Sequence, residues 1–321
     1  MFIKKLKSIL VLSMLMGTTV LLSCSDDDTP AVETQKDIVE LAAANSNLSS
    51  LVAAVDKAGL ASVLKGNGPF TVFAPTNAAF QALLDSNSSW NTLNDIPQDV
   101  LVNVLKFHVL SSEVKSGQLT NGYTPTLATG PNSEYLSLQV ATTGGVKFNG
   151  SAAPVSVDID AKNGVVHVID KVMLPPNVVE LALNNPDFSS LVAALTDSRH
   201  TTDFVAVLKG NGPFTVFAPT NAAFKNLLDS NASWNSIADI PIATLEAVLK
   251  YHVVNAANVQ AKQLTDKQEI TMLNNAKVTV DLTNGAKLKS ASNQEVNITA
   301  TDVQGANGVI HVIDKVLIPG T

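Results

Sequence analysis

VLKGNGPFTVFAPTNAAF, residues 63–80, returns without a change at residues 207–224. An identical stretch of eighteen residues is beyond any short periodicity, so the chain holds two copies of one unit, 144 residues apart. Inside the stretch, Gly66, Gly68 and Pro69 form a turn cluster. Phe70-Thr71-Val72-Phe73 is β-prone and short enough for a buried strand. Pro75 ends it, because proline has no N–H for the ladder. Thr76 then caps a helix whose apolar face carries Ala79, Phe80, Leu83 and Leu84.

Outward from that stretch, both copies follow one order. Ile38 and Leu41, then Leu48, Leu51, Val52 and Val55, have helical spacing, and residues 186–194 repeat the second set. Between that helix and the repeated stretch the offset grows from 140 to 144, so the second copy carries four extra residues near His200. Such an insertion predicts a surface loop with His200 exposed in it. Pro97 suits the start of a helix that presents Val100, Leu101, Val104 and Leu105 and runs into Phe107-His108. Residues 111–162 alternate and are rich in turn residues, which predicts antiparallel strands with one wet face. Residues 164–174 predict a long closing strand. Pro175-Pro176 marks a short boundary, with the next helix near Val178 and little freedom between the units. Helices first and strands last in each copy predict an α+β class.

The repeated segments resemble the fasciclin-like (fasciclin I-type) adhesion domains. TVFAPTNAAF is similar to the first signature of that family. NGVVHVIDKVMLP at 163–175 and NGVIHVIDKVLIP at 307–319 are similar to the second. Phe107-His108 and Tyr251-His252 occupy the place of the aromatic-histidine motif between them. The resemblance implies two tandem fasciclin-like domains, 36–175 and 176–321, each an antiparallel β-sandwich or wedge with flanking α-helices. It also points to candidate binding residues. Asp158-Ile159 loosely matches an Asp-Ile pair linked with integrin adhesion in animal relatives, and Tyr251-His252 keeps the Tyr-His motif. The second copy has Asp302-Val303, and the first has Phe107 in place of tyrosine, so neither motif is complete in both. A bacterial surface protein need have no integrin partner, so packing and hydrogen bonding are the preferred account of these residues.

Size and composition agree with two domains. At 321 residues, a prior of roughly 150 per domain gives two. With 45% hydrophobic but 5% aromatic residues, the cores are mostly aliphatic with Phe as the large filler. Lys4, Lys5 and Lys7 precede an apolar run, 9–22, which reads as a secretory signal too short for a confident membrane span. Leu21-Leu22-Ser23-Cys24 resembles a bacterial lipobox, which implies a lipoprotein signal peptide at 1–23 and lipidation of Cys24, the only cysteine. An acidic tether follows at 24–35, and its Ser25-Asp26-Asp27-Asp28 resembles the surface-export signal of Bacteroidetes-type lipoproteins. Removing 1–23 takes away three lysines and no acid, which moves the formal charge from −7 to −10. That balance argues against nucleic acid and against charge-driven membrane binding. Membrane attachment is expected through the lipid at Cys24.

No catalytic constellation is legible. G-x-S-x-G, H-E-x-x-H and a phosphate-binding glycine loop are missing from the sequence, and Asp158-Ile159-Asp160 lacks the other ligands of an EF-hand. His108 with His252, and His167 with His311, read as half-buried structural imidazoles without a third ligand at metal spacing. No cofactor, no metal and no enzymatic activity are expected. Five sequons, the first at Asn47, count as chance in a bacterial lipoprotein. The expected work is adhesion to extracellular matrix protein, polysaccharide or a surface protein from an outer-membrane lipoprotein on the cell surface. The alternative is a periplasmic accessory to an envelope protein complex.

Overall fold

The computed structural model describes residues 35–320. The signal peptide, Cys24 and residues 25–34 of the acidic tether lie outside the described residues. In the first domain the order is α1 (Ile38–Ala44), α2 (Ser49–Ala58), α3 (Ala61–Leu64), β1 (Phe70–Pro75), α4 (Asn77–Asp85), α5 (Gln98–Phe107) and β2 (Val109–Leu110). Then come β3 (Gly122–Thr129), β4 (Tyr135–Ala141), β5 (Lys147–Phe148), β6 (Pro154–Ala161) and β7 (Gly164–Ile169). The second domain repeats this as α6 (Val178–Asn184), α7 (Ser189–Leu195), α8 (Phe204–Leu208), β8 (Phe214–Pro219), α9 (Asn221–Asp229), α10 (Ile242–Lys250) and β9 (Val253–Asn255). It ends with β10 (Glu269–Thr271), β11 (Lys277–Asp281), β12 (Lys287–Lys289), β13 (Glu295–Gly305) and β14 (Gly308–Ile313). Apart from β1 and β8, which stand between helices, helices precede strands in each half as the sequence predicts, and the architecture is α+β. Among the described residues no single helix is long and apolar enough to cross a membrane.

The repeated stretch supplies the centre of each domain. β1 is buried on both faces: Val72 and Ala74 join the core beneath the helices, while Phe73 joins the core between the sheets. Thr76 caps α4 through Ala79 N–H, and Ala79, Phe80, Leu83 and Leu84 are buried. The neighbour of β1 is β7, and the two run parallel from Phe70↔Gly164 to Pro75↔Ile169. One parallel pair thus sits inside sheets that are otherwise antiparallel, and β8 pairs with β14 in the same way. A strand with apolar residues on both faces belongs inside a sheet, where such parallel pairs are found.

The Asn-Gly that opens the second signature explains its own composition. Gly164 has φ +149°, and a Cβ there would lie 2.0 Å from Phe70 O, so only glycine lets β7 start against β1. Asn163 Oδ1 accepts from Ile38 N–H at the start of α1, and its Nδ2 donates to Leu64 and Gly66 carbonyls where α3 ends. Asn307 makes the same three bonds, to Val178, Leu208 and Gly210. One side chain therefore ties the first helix, the pre-strand turn and the closing strand together.

The halves differ in their sheets. The first domain has a four-stranded sheet, β2-β1-β7-β6, and a separate three-stranded one, β3-β4-β5. The second has one continuous seven-stranded sheet, β10-β11-β12-β13-β14-β8-β9. Pro154 stands where the second domain has Ile298. Ile298 N–H donates to Ala286 O at 2.9 Å and carries the sheet round to β12; proline has no N–H to do so. The predicted long closing strand is shorter than 164–174. β7 ends at Ile169, and Asp170 next to it accepts from Ala153 N–H through its side chain.

Candidate functional site

The repeated histidines are structural in both halves. His108 Nδ1 lies 2.8 Å from Val104 O, and its Nε2 accepts from Met173 N–H at 2.9 Å. The bonds fix the neutral tautomer with the proton on Nδ1. His252 repeats this with Val248 O and Leu317 N–H. Burial pushes both imidazoles down to about 4. His167 is fully buried, with Nε2 2.9 Å from Val114 O and Nδ1 accepting from Asp158 N–H. His311 does the same with Val259 O and Asp302 N–H, and burial lowers its pKa. Each ring joins two segments through both nitrogens, which leaves none for a substrate or metal. Among the described residues no group of three His, Cys, Asp or Glu is placed to hold a metal ion.

His200 differs from the expectation of an exposed loop residue. Its side chain is 4% exposed, Nε2 lies 2.7 Å from Ala194 O, and the ring stands edge-on to Phe204 at 4.9 Å. The four-residue insertion folds back on α7, whose last carbonyls lack helical partners. The imidazole meets one of them.

The four candidate binding residues do not form one site. Asp158 and Ile159 are in β6 of the first domain; Tyr251 and His252 end α10 of the second. Asp158 has φ +58° where the pairing with β7 shifts register, and so sits at an irregularity of the sheet edge. Its carboxylate accepts from Ser116 N–H at 2.7 Å and from the Ser116 hydroxyl, bonds that hold it below the usual carboxylate range. Ile159 is half-buried against the helical core. Tyr251 is fully buried: its hydroxyl donates to Lys277 O at 2.6 Å and accepts from Ala291 N–H at 2.9 Å. With His252 only 2% exposed, the pair offers almost no surface to a partner. Of the four, Asp158 is the one with an accessible functional group, its side chain being 35% exposed.

The surface around Asp158 and its copy around Asp302 went unread in the sequence. Near Asp158, Lys115 pairs with Asp160 and lies 3.8 Å from Glu113, all in solvent. Near Asp302 the corresponding residues are Gln260, Gln304 and Asn258, each buried. Gln304 Oε1 accepts from Gln260 Nε2 at 2.6 Å and from Asn258 Nδ2 at 3.1 Å. Its Nε2 donates to Gly305 and Gly308 carbonyls, and its backbone N–H donates to Ser137 Oγ of the first domain. Strand β4 lies against β13 here, and Lys262 pairs with Glu134 at 2.5 Å. The signal available in the sequence was the replacement of three charged residues by three amides at matched places.

Comparisons with known proteins bear on the whole of this architecture. A family model described as the Fasciclin domain matches residues 46–175 and 186–319. Protein sll1483 of Synechocystis is 44% identical over 146 residues, which cover 46% of this chain and 77% of that protein. Human periostin is 31% identical over 275 residues, covering 82% of this chain and 30% of periostin. The transforming growth factor-beta-induced protein ig-h3 of Sus scrofa is 29% identical over 262 residues, covering 80% of this chain and 35% of its own length. The chain thus spans only about a third of these two animal proteins. A solved FAS1 domain pair from the insect cell adhesion molecule fasciclin I aligns at 20% identity and TM-score 0.49, over 83% of this chain and 92% of that one.

Proposed function

Because the chain belongs to the fasciclin domain family, with two tandem copies, we propose that it is a lipid-anchored adhesion protein of the cell surface. Its work is non-catalytic binding. The anchor is a lipid on Cys24 after removal of 1–23, and the acidic residues 24–35 hold the domains, 36–175 and 176–321, away from the outer membrane. The partner is extracellular matrix protein, polysaccharide or another surface protein.

One observation carries this reading. The family signatures and all four repeated histidines are consumed in holding each domain together, so recognition falls to rims, loops and the seam between domains. Binding from paired domains gains from effective concentration when both engage one extended ligand.

Deletion of the gene is expected to abolish attachment of cells to extracellular polymer or to partner cells. Wild-type levels of both adhesion and aggregation in the deletion strain sink the proposal. Protease treatment of intact cells checks display: a surface protein is cut, and one facing the periplasm is spared. Replacement of Cys24 by Ser should release the protein from the membrane fraction.

A further inference from the structure

A cleft of about 440 Å³ lies where the two domains meet. Asn121, Tyr123 and Gln139 line it from the first domain, and Asn185 and Asp187 from the second. Strand β4 sets one wall. Leu136, Leu138 and Val140 point into the core of the first domain, so Ser137 and Gln139 point the other way. Ser137 meets Gln304 N–H of the second domain. The Gln139 side chain has no such bond: it is 5% exposed, and its Oε1 is buried without a hydrogen-bond partner. A buried amide oxygen left unpaired is unfavourable, and native structures contain few of them. Gln139 also lines the open volume beside it, so a turn of the closed-off amide toward the cleft lets a ligand supply the missing bond.

We propose that this interdomain cleft is a binding site for a neutral saccharide, an inference that rests on the adhesive reading and names its ligand class. The lining selects the chemistry. It contains no lysine, arginine or histidine, and its one charged side chain is Asp187, so an anionic ligand gains nothing there. Its amides and hydroxyls both donate and accept, as sugar hydroxyls do. Asn185 Nδ2 donates to the Tyr123 hydroxyl at 3.0 Å, which holds the phenol at the wall and leaves its proton for a further partner. The apolar part of the lining, with Val140, Pro186, Phe188 and Val312, and the Tyr123 ring suit the C–H face of a sugar ring. The Gln139 amide adds an acceptor at the buried end, or a donor when turned over.

Isothermal titration calorimetry on the purified full-length protein tests the site. The probes are maltohexaose, cellohexaose, mannohexaose and N-acetylated chitohexaose, with an acidic hyaluronan hexasaccharide as control. At least one neutral probe should saturate, and the acidic one should bind more weakly. Gln139→Leu should weaken binding about tenfold, the worth of one hydrogen bond, while leaving Tm unchanged or higher because an unpaired amide is removed. Thr143→Trp, at the exposed mouth, should block binding without touching either core. The site is overturned when no neutral probe binds, when hyaluronan binds as tightly, or when either variant binds like the wild type. A protein ligand blocked by Thr143→Trp, with all saccharides inert, overturns it too. The two readings fail separately. Silent calorimetry removes the cleft even where gene deletion abolishes adhesion, and an unchanged deletion phenotype removes the adhesive role even where saccharide binds.

Discussion

Glu113, Lys115 and Asp160 of the first domain stand where the second has Asn258, Gln260 and Gln304. The backbone around the two trios is the same. Ser116 N–H reaches Asp158 as Ala261 N–H reaches Asp302, and each buried imidazole spans the same two segments. What differs is the neighbour. The charged trio faces solvent, whereas the amide trio is covered where β13 meets β4 of the first domain. Charges kept in water need no further partners; the same charges at the covered face would lose hydration with too little in return. Amides bonded to one another and, through Gln304 Nε2, to two backbone carbonyls tolerate burial. A duplicated fold therefore marks its own interface by the exchange of charge for amide at matched positions.

The severest way to break that contrast is to put the first domain's residue into the second. Gln304→Asp places a carboxylate among Asn258, Gln260 and two backbone carbonyls, and removes both donors that Gln304 Nε2 supplies. A loss of about 3–5 kcal/mol is expected, the scale of an uncompensated buried charge. Denaturant unfolding measures it, and small-angle scattering should show the domains spreading apart. An unchanged midpoint would mean that this face is open to water.

Acid probes the feature that the domains share. His108 and His252 are pushed from 6.5 down to about 4, so between these values the unfolded chain binds more protons than the folded one. Stability is then complete above about pH 6.5 and falls as pH drops toward 4. At pH 4.5 each histidine should have removed about 2–3 kcal/mol, equally in both domains. Urea melts at pH 7 and pH 4.5 test this; a midpoint independent of pH would show that the rings are not buried neutral in solution.

Much of the fold was legible because local chemistry and tertiary role coincide. Thr76 caps, Phe73 packs and Pro97 precedes a helix wherever the chain is placed, so the sequence pattern suffices. The parallel pairing of β1 with β7 was not legible: both strands are apolar on both faces, and periodicity does not tell direction. The split sheet of the first domain was not legible either: residues 151–153, which stand where residues 295–297 pair with β12, turn back on Phe148, and Pro154 after them has no N–H to resume the ladder. Of the candidate site residues, Asp158 lies at an accessible edge, whereas Tyr251 and His252 turned inward. A motif shared with relatives does not state which of its residues fold the domain and which meet a partner. The cleft could not be seen at all, since Gln139 and Asn185 come together only when two domains pack.

A milder test uses the other mismatch between the copies. Tyr251→Phe gives the second domain the residue that the first has at Phe107, yet leaves Lys277 O and Ala291 N–H without their shared partner. About 1–3 kcal/mol should be lost, the usual cost of stranding buried polar groups. A neutral result would mean that water enters to replace the hydroxyl.

The smallest effect should come from the reverse of the first exchange. Asp160→Gln gives the first domain the amide of the second, and it removes the pair with Lys115. Asp160 is 61% exposed, and ion pairs in water contribute little because solvent and salt screen them. Thermal melts at physiological ionic strength should therefore show no shift beyond experimental scatter. Gln304→Asp and Asp160→Gln exchange the same two residue types at equivalent backbone positions, so intrinsic β preference should enter the two with opposite sign. A large loss in one and none in the other would then report the covered, hydrogen-bonded setting of Gln304 against the open setting of Asp160. Equal losses would instead mean that the first domain's charged face is also covered in solution.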